Sequence, residues 1–180
     1  MRNLALMLLV TICTAAAATT TAHAQVLPGI YAGMVAGYTG TVDQPSNVPD
    51  PMGPAIGARV GVTLPLTPLY LGGLFLYHTG EEIDVNAVKV SSSSYMLGAE
   101  VGYQLGLGLI QIRPNLGFGY HSVALENLGD DSRSSVYLSP GVNAMITLGM
   151  LLGAEIRYNT VFNDDIQDSV SILGTVGLAL

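Results

Sequence analysis

Residues 110–121 read IQIRPNLGFGYH, and the two faces of this stretch decide the fold. Taken alternately, Ile110, Ile112, Pro114, Leu116, Phe118 and Tyr120 are apolar or aromatic. Between them lie Gln111, Arg113, Asn115, Gly117, Gly119 and His121. In a β-strand successive side chains point to opposite faces, so one face is greasy and the other polar or bare. Which of the two is the inside separates a soluble barrel from a barrel in lipid.

The same alternation recurs through the chain. In GIYAGMVAGYTG the apolar set is Ile30, Ala32, Met34, Ala36 and Tyr38, and in AIGARVGVTL it is Ile56, Ala58, Val60, Val62 and Leu64. Residues 69–79 repeat it less cleanly, because Leu74 and Leu76 fall on the nominally polar face. SYMLGAEVGYQ, SVYLSPGVNAMITL, LLGAEIRYNT and SVSILGTVGLAL follow the rule again. Eight such segments with period two and no helical stretch predict an all-β chain. Connections at 65–68, 105–108 and 148–151 are tight, whereas those at 41–53 and 123–135 are long and polar. Strict alternation of short and long connections describes an up-and-down meander, with all long loops at one end.

A soluble barrel needs a charged outer surface. The polar face here is mostly glycine, serine and threonine, with only Arg59, Glu100, Arg113, Glu155 and Arg157 charged. That is too few to hold a surface in water, whereas small residues suit the narrow interior of eight strands. The apolar set contains no charge in any strand. A charge at mid-membrane on a lipid face costs about 2–4 kcal/mol, so the greasy face is outside. Tyr38, Tyr77, Tyr95, Tyr120 and Tyr158 fall on that face near the long-loop ends, where an interfacial girdle belongs. The expected fold is an eight-stranded antiparallel up-and-down transmembrane β-barrel. Pro114 and Pro140 lie inside strands and each removes a ladder donor, which predicts a bulge or an unpaired position beside them.

The first 24 residues have the pattern of a signal peptide: Arg2, the apolar LALMLLVTICTAAAA, and AHA before Gln25. Cleavage there leaves residues 25–180 as the barrel domain, without the single cysteine, Cys13. Without a cysteine the exported chain can have no disulfide. Charged residues make up only 11% of the chain, and 11 of the 13 acids lie in expected loops. An acidic chain of this kind has nothing to neutralise a run of phosphates, so a nucleic-acid partner is excluded.

With these residues in hand, the sequence resembles the small eight-stranded outer-membrane barrels of the OmpA-like and OmpX-like family. IYAGMVAGY, IRPNLGFGY, LSPGVNA and AEIRYN, in that order, carry the resemblance. It implies a single-chain barrel in the outer membrane with its N-terminus in the periplasm, inserted by the barrel-insertion machinery among lipid and lipopolysaccharide. The chain ends in Leu180, where members of that family usually end in an aromatic residue.

Three groups of residues bear on function. Arg59, Glu100, Arg113, Glu155 and Arg157 converge in the lumen and should pair there, as a structural core or as a gate whose partners switch. His78 and His121, with Ser122 beside the second, face the long-loop rim, but YHSV does not match a lipid A deacylase signature. The loop acids Glu81, Glu82, Asp84, Glu126, Asp130, Asp131, Asp164, Asp165 and Asp168 offer weak binding of divalent cations. No cofactor and no dedicated metal site is expected. The reading is a non-catalytic envelope protein that stabilises the outer membrane or presents acidic loops. A narrow channel or carrier for small solutes is the alternative, and a lipid A-modifying enzyme comes after it.

Overall fold

Each segment of alternating residues is a β-strand in the computed structural model, which describes residues 29–42, 50–85, 88–125, 132–148, 150–163 and 166–179. The strands are β1 (Gly29–Thr41), β2 (Pro54–Thr63), β3 (Leu69–Val85) and β4 (Val88–Tyr103, continued by Leu105–Leu107). After them come β5 (Ile110–Leu125), β6 (Ser132–Thr147), β7 (Leu151–Val161) and β8 (Ser169–Ala179). Every strand is antiparallel to its sequence neighbour, and β1 pairs with β8 from Tyr31↔Ala179 to Thr41↔Ser169. The sheet is therefore a closed barrel of eight strands, and no edge is left without hydrogen-bond partners. Residues 1–24, Glu126, Asp130, Asp131, Asp164, Asp165 and Leu180 lie outside the described residues.

The faces fall as the alternation requires. Met34, Val60, Phe118, Ile156, Ile172 and Val176 are exposed on the outer surface, while Arg59, Glu100, Arg113, Glu155 and Arg157 are buried inside. Tyr38, Tyr77, Tyr95 and Tyr120 are exposed toward the long-loop end. Met34 sits mid-strand on this outer face, between Ala58 of β2 and Val176 of β8. Replacing it with arginine should cost about 2–4 kcal/mol of stability in phospholipid vesicles. The check is the shift of the urea unfolding midpoint there, and an unshifted midpoint would mean that this face does not meet lipid.

Both strand prolines sit beside gaps in the ladder, without a change of register. Between β4 and β5 the pairing stops at Gly102↔Asn115 and resumes at Leu105↔Ile112, so the gap lies opposite Arg113 and Pro114. Gln104 donates its backbone N–H to Pro68 O at 2.7 Å instead. Between β6 and β7 the pairing skips from Leu138↔Thr160 to Gly141↔Arg157, which leaves Ser139 and Pro140 unpaired on the β7 side. There a side-chain bond from Ser139 Oγ to Asn159 Oδ1, 2.7 Å long, bridges the same two strands. The one register shift in the barrel's described residues lies elsewhere, between Thr79 and Glu82 on the β3–β4 ladder.

The connections are shorter than the sequence suggests. The expected loop at 123–135 is largely strand, because β5 runs to Leu125 and β6 starts at Ser132. Glu81, Glu82 and Asp84 likewise belong to β3, whose pairing with β4 continues to Val85↔Val88. Valines at 85, 88 and 90 favour the extended backbone that continues the β3–β4 hairpin. At the other end the turn of β4 into β5 narrows to Gly108 and Leu109, with Gly108 at a φ of 70°. Leu66, in the turn closed by the bond from Leu64 N to Leu69 O, takes a φ of 64°. This left-handed conformation is strained for leucine.

Candidate functional site in the barrel lumen

Four layers fill the lumen. Lowest, at the short-turn end, the Tyr31 and Tyr70 rings meet edge to face with centroids 6.0 Å apart. Gln104 closes this layer. Its Nε2 donates to Tyr31 Oη at 2.8 Å and to Gln111 Oε1 at 3.1 Å, and its Oε1 accepts from Thr63 Oγ1 at 3.1 Å. Met145 and Leu151 pack against the two tyrosines.

Above them lies a ring of four charges. Arg59 pairs with Glu100, Nε to Oε2 at 3.0 Å, and also with Glu155. Arg157 pairs with Glu155, Nη2 to Oε1 at 2.7 Å, and also with Glu100. Each carboxylate thus faces two guanidiniums and each guanidinium two carboxylates, all buried. Asn115 Nδ2 adds a bond of 3.0 Å to Glu155 Oε1. Burying an isolated charge costs several kcal/mol even after relaxation, and only such mutual pairing with hydrogen bonds offsets it.

Arg113 departs from the expected pairing. No carboxylate among the described residues pairs with it, although its side chain is buried. Its guanidinium lies on the face of Tyr70, 3.6 Å from the ring centroid, and 5.6 Å from that of Tyr31. A desolvated stack of this kind contributes about 2 kcal/mol. That is less than the several kcal/mol that burying the ion costs.

The third layer is apolar: Val35, Ala55, Leu74, Leu76, Met96, Tyr137 and Leu173 form one buried cluster. Leu74 and Leu76, which break the sequence pattern, point into the lumen and build it. The uppermost layer is polar again. His78 Nε2 shares a hydrogen bond with Thr39 Oγ1 at 3.1 Å, and Nδ1 one with Ser94 Oγ at 3.3 Å. Asn159 Nδ2 donates to Ser169 Oγ and Ser171 Oγ at 3.0 and 2.9 Å. Residues 50–52 fold over this mouth: Ser92 Oγ donates to Asp50 O, Ser94 Oγ donates to Pro51 O, and Met52 is buried.

Sequence reading brings the five charges and both histidines to the lumen but assembles less than the structure does. His121 is buried, yet neither ring nitrogen has a hydrogen-bond partner, and Ser122 accepts from Ser134 Oγ at 3.0 Å. His121 and Ser122 are not hydrogen-bonded to each other, as their neighbouring places on one strand require. The sequence reading misses Gln104, Asn115, Asn143, Tyr31 and Tyr70 as members of the site, though each falls on the inward set of its own segment's alternation. Among the described loop acids, Asp168 ties strands together, because Tyr158 Oη, Thr160 Oγ1 and Val161 N all donate to its carboxylate.

Residues 4–177 match the family model described as outer membrane protein beta-barrel domain. None of the curated proteins matches this chain in sequence. Solved structures are similar in fold. A major outer membrane protein from Thermus thermophilus has a TM-score of 0.63 at 13% identity, over 86% of this chain and all of its own. Neisserial surface protein A has a TM-score of 0.57 at 13% identity, over 84% of this chain and 96% of its own. Ail, the attachment invasion locus protein of Yersinia pestis, solved with the heparin analogue sucrose octasulfate, has a TM-score of 0.57. Its identity is 13%, over 85% of this chain and 97% of its own.

Proposed function

The chain belongs to the outer membrane protein β-barrel domain family, and from that membership we propose a non-catalytic barrel that braces the outer membrane and presents its long-loop end outward. Residues 1–24 are removed on export, and Gln25 begins the mature chain in the periplasm. Lipid and lipopolysaccharide surround the apolar face, and the insertion machinery of the outer membrane assembles it. Acidic loop residues give the outer end weak affinity for divalent cations. A polysulfated ligand of the kind bound to Ail is disfavoured by that acidic rim.

One observation carries the structural role over a channel: two closures stand in series across the lumen. The Tyr31–Tyr70–Gln104 layer and the ring of Arg59, Glu100, Glu155 and Arg157 block one half, and the Leu74–Leu76–Met96–Leu173 cluster blocks the other. An ion passing through would have to break paired charges and then cross an apolar layer, where nothing compensates its desolvation.

Planar bilayers test it. The refolded wild-type chain should insert without a steady unit current. Steady unit currents would sink the structural reading and favour the channel. In that event, conductance rising on neutralising Glu155 or Arg113 would identify the buried charges as the gate.

A further inference from the structure

We propose that the lumen holds a site for a small monovalent anion of chloride size, with Arg113, Asn143 and Thr175 as its donors. The first ground is charge. Among the described residues the lumen buries three guanidiniums, of Arg59, Arg113 and Arg157, against two carboxylates, of Glu100 and Glu155. The ring of four consumes both carboxylates, and Arg113 is left as a positive excess. Guanidinium cannot lose its proton in a protein. The Tyr70 hydroxyl donates to Val60 O, so the ring beneath Arg113 is a neutral phenol rather than a counter-ion.

The second ground is a set of orphaned polar atoms on the inward faces of β5, β6 and β8. Arg113 Nε and Nη1, both Asn143 amide atoms and Thr175 Oγ1 are buried without a partner. Their residues are 1%, 0% and 4% exposed, so bulk solvent does not satisfy them. Arg113 and Asn143 are directly opposed on the β5–β6 ladder and share the lumen face, so their side chains are neighbours. Thr175 opposes Gly153 on the β7–β8 ladder. A Cβ on Gly153 would stand 3.2 Å from Asn143 Oδ1, so it is the bare glycine that leaves room between Asn143 and Thr175. With the amide turned, Asn143 Nδ2 faces that room as a donor.

Buried polar groups in native proteins nearly always find partners. Water in the gap would satisfy the hydrogen bonds and leave the charge standing, whereas one anion does both. Its size is bounded by the Tyr70 ring beneath Arg113 and by Met145 Cγ, which lies 3.1 Å from the Gly153 Cβ position. The site rests on the barrel's geometry and does not depend on whether the barrel conducts.

The test compares the refolded full chain in detergent micelles with sodium chloride and with sodium gluconate, at one sodium concentration. Chloride should raise the unfolding temperature in a saturable way relative to gluconate, since a ligand that binds only the folded state stabilises it by mass action. Arg113→Met, which keeps an unbranched stem and removes the guanidinium, should lose this chloride dependence. Thr175→Val, nearly isosteric, should move half-saturation several-fold to higher chloride. Equal unfolding temperatures of the wild type in the two salts would overturn the site, as would a wild-type chloride response in Arg113→Met. Should Arg113→Met not refold, Thr175→Val decides: a wild-type half-saturation overturns the proposal, and a shifted one supports it.

Discussion

Glu155→Ala is expected to destabilise the barrel by about 3–5 kcal/mol, the cost of removing one partner from a buried ion pair. Glu155 is bonded at once to Arg59, Arg157 and Asn115, so its loss strands two guanidiniums on the single remaining carboxylate of Glu100. The positive excess in the lumen then doubles. Gel migration with and without boiling gives the first readout, because a folded barrel keeps its unheated mobility. Urea unfolding of the refolded variant gives the magnitude. A midpoint equal to that of the wild type would mean that the ring is solvated or can rearrange, and the closed lumen would lose its main support.

Tyr70→Ala is expected to cost a similar amount, about 3–5 kcal/mol, as for other large aromatic residues truncated in a core. Tyr70 is fully buried, packs edge-on against Tyr31 and lies flat under Arg113. Its ring also fills the space that glycines leave at positions 61 and 72, since a Cβ at either would fall within 2.4 Å of it. The alanine variant therefore opens a cavity and removes the main surface on which Arg113 rests. Tyr70→Phe separates the two parts. The tyrosine hydroxyl makes one long bond of 3.4 Å to Val60 O, so the phenylalanine should lose no more than about 1 kcal/mol. If both variants lost equally, the hydroxyl and not the ring would be the essential group. Urea midpoints of the two variants, taken side by side, decide this.

Why the faces are legible in the sequence and the contacts are not follows from the geometry of strands. Period two settles which side of the sheet a residue occupies, so Arg59, Glu100, Arg113, Glu155 and Arg157 are inside because they alternate with apolar residues. The period says nothing of height along the barrel or of what faces what across the lumen. Arg59 on β2 and Glu155 on β7 are not neighbours in the sheet; they meet through the interior, at a level set by the register of every strand between. Arg113 reaches Tyr70 instead, which no spacing in the sequence encodes. Leu74 and Leu76 look like lapses in the pattern only if the lumen is polar throughout. An apolar layer inside an eight-stranded barrel is as good a filling as a charged one, provided that side chains close it completely. The gaps beside Pro114 and Pro140, by contrast, are legible, because a missing N–H is a local fact.

The pairing of β1 with β8 carries a consequence for how the molecule comes into being. These strands stand at opposite ends of the described chain, yet they are joined over the whole length of β8, from Tyr31↔Ala179 to Thr41↔Ser169. Every other pair of neighbours consists of consecutive strands, which local chain segments can zip as hairpins. This seam alone joins strands that are not consecutive, and it closes the longest loop among the described strands. Until then β1 and β8 each present an open row of N–H and C=O groups, which an apolar surrounding does not tolerate. The finished ring has no first strand; its history of assembly does, and the seam marks where that history ends.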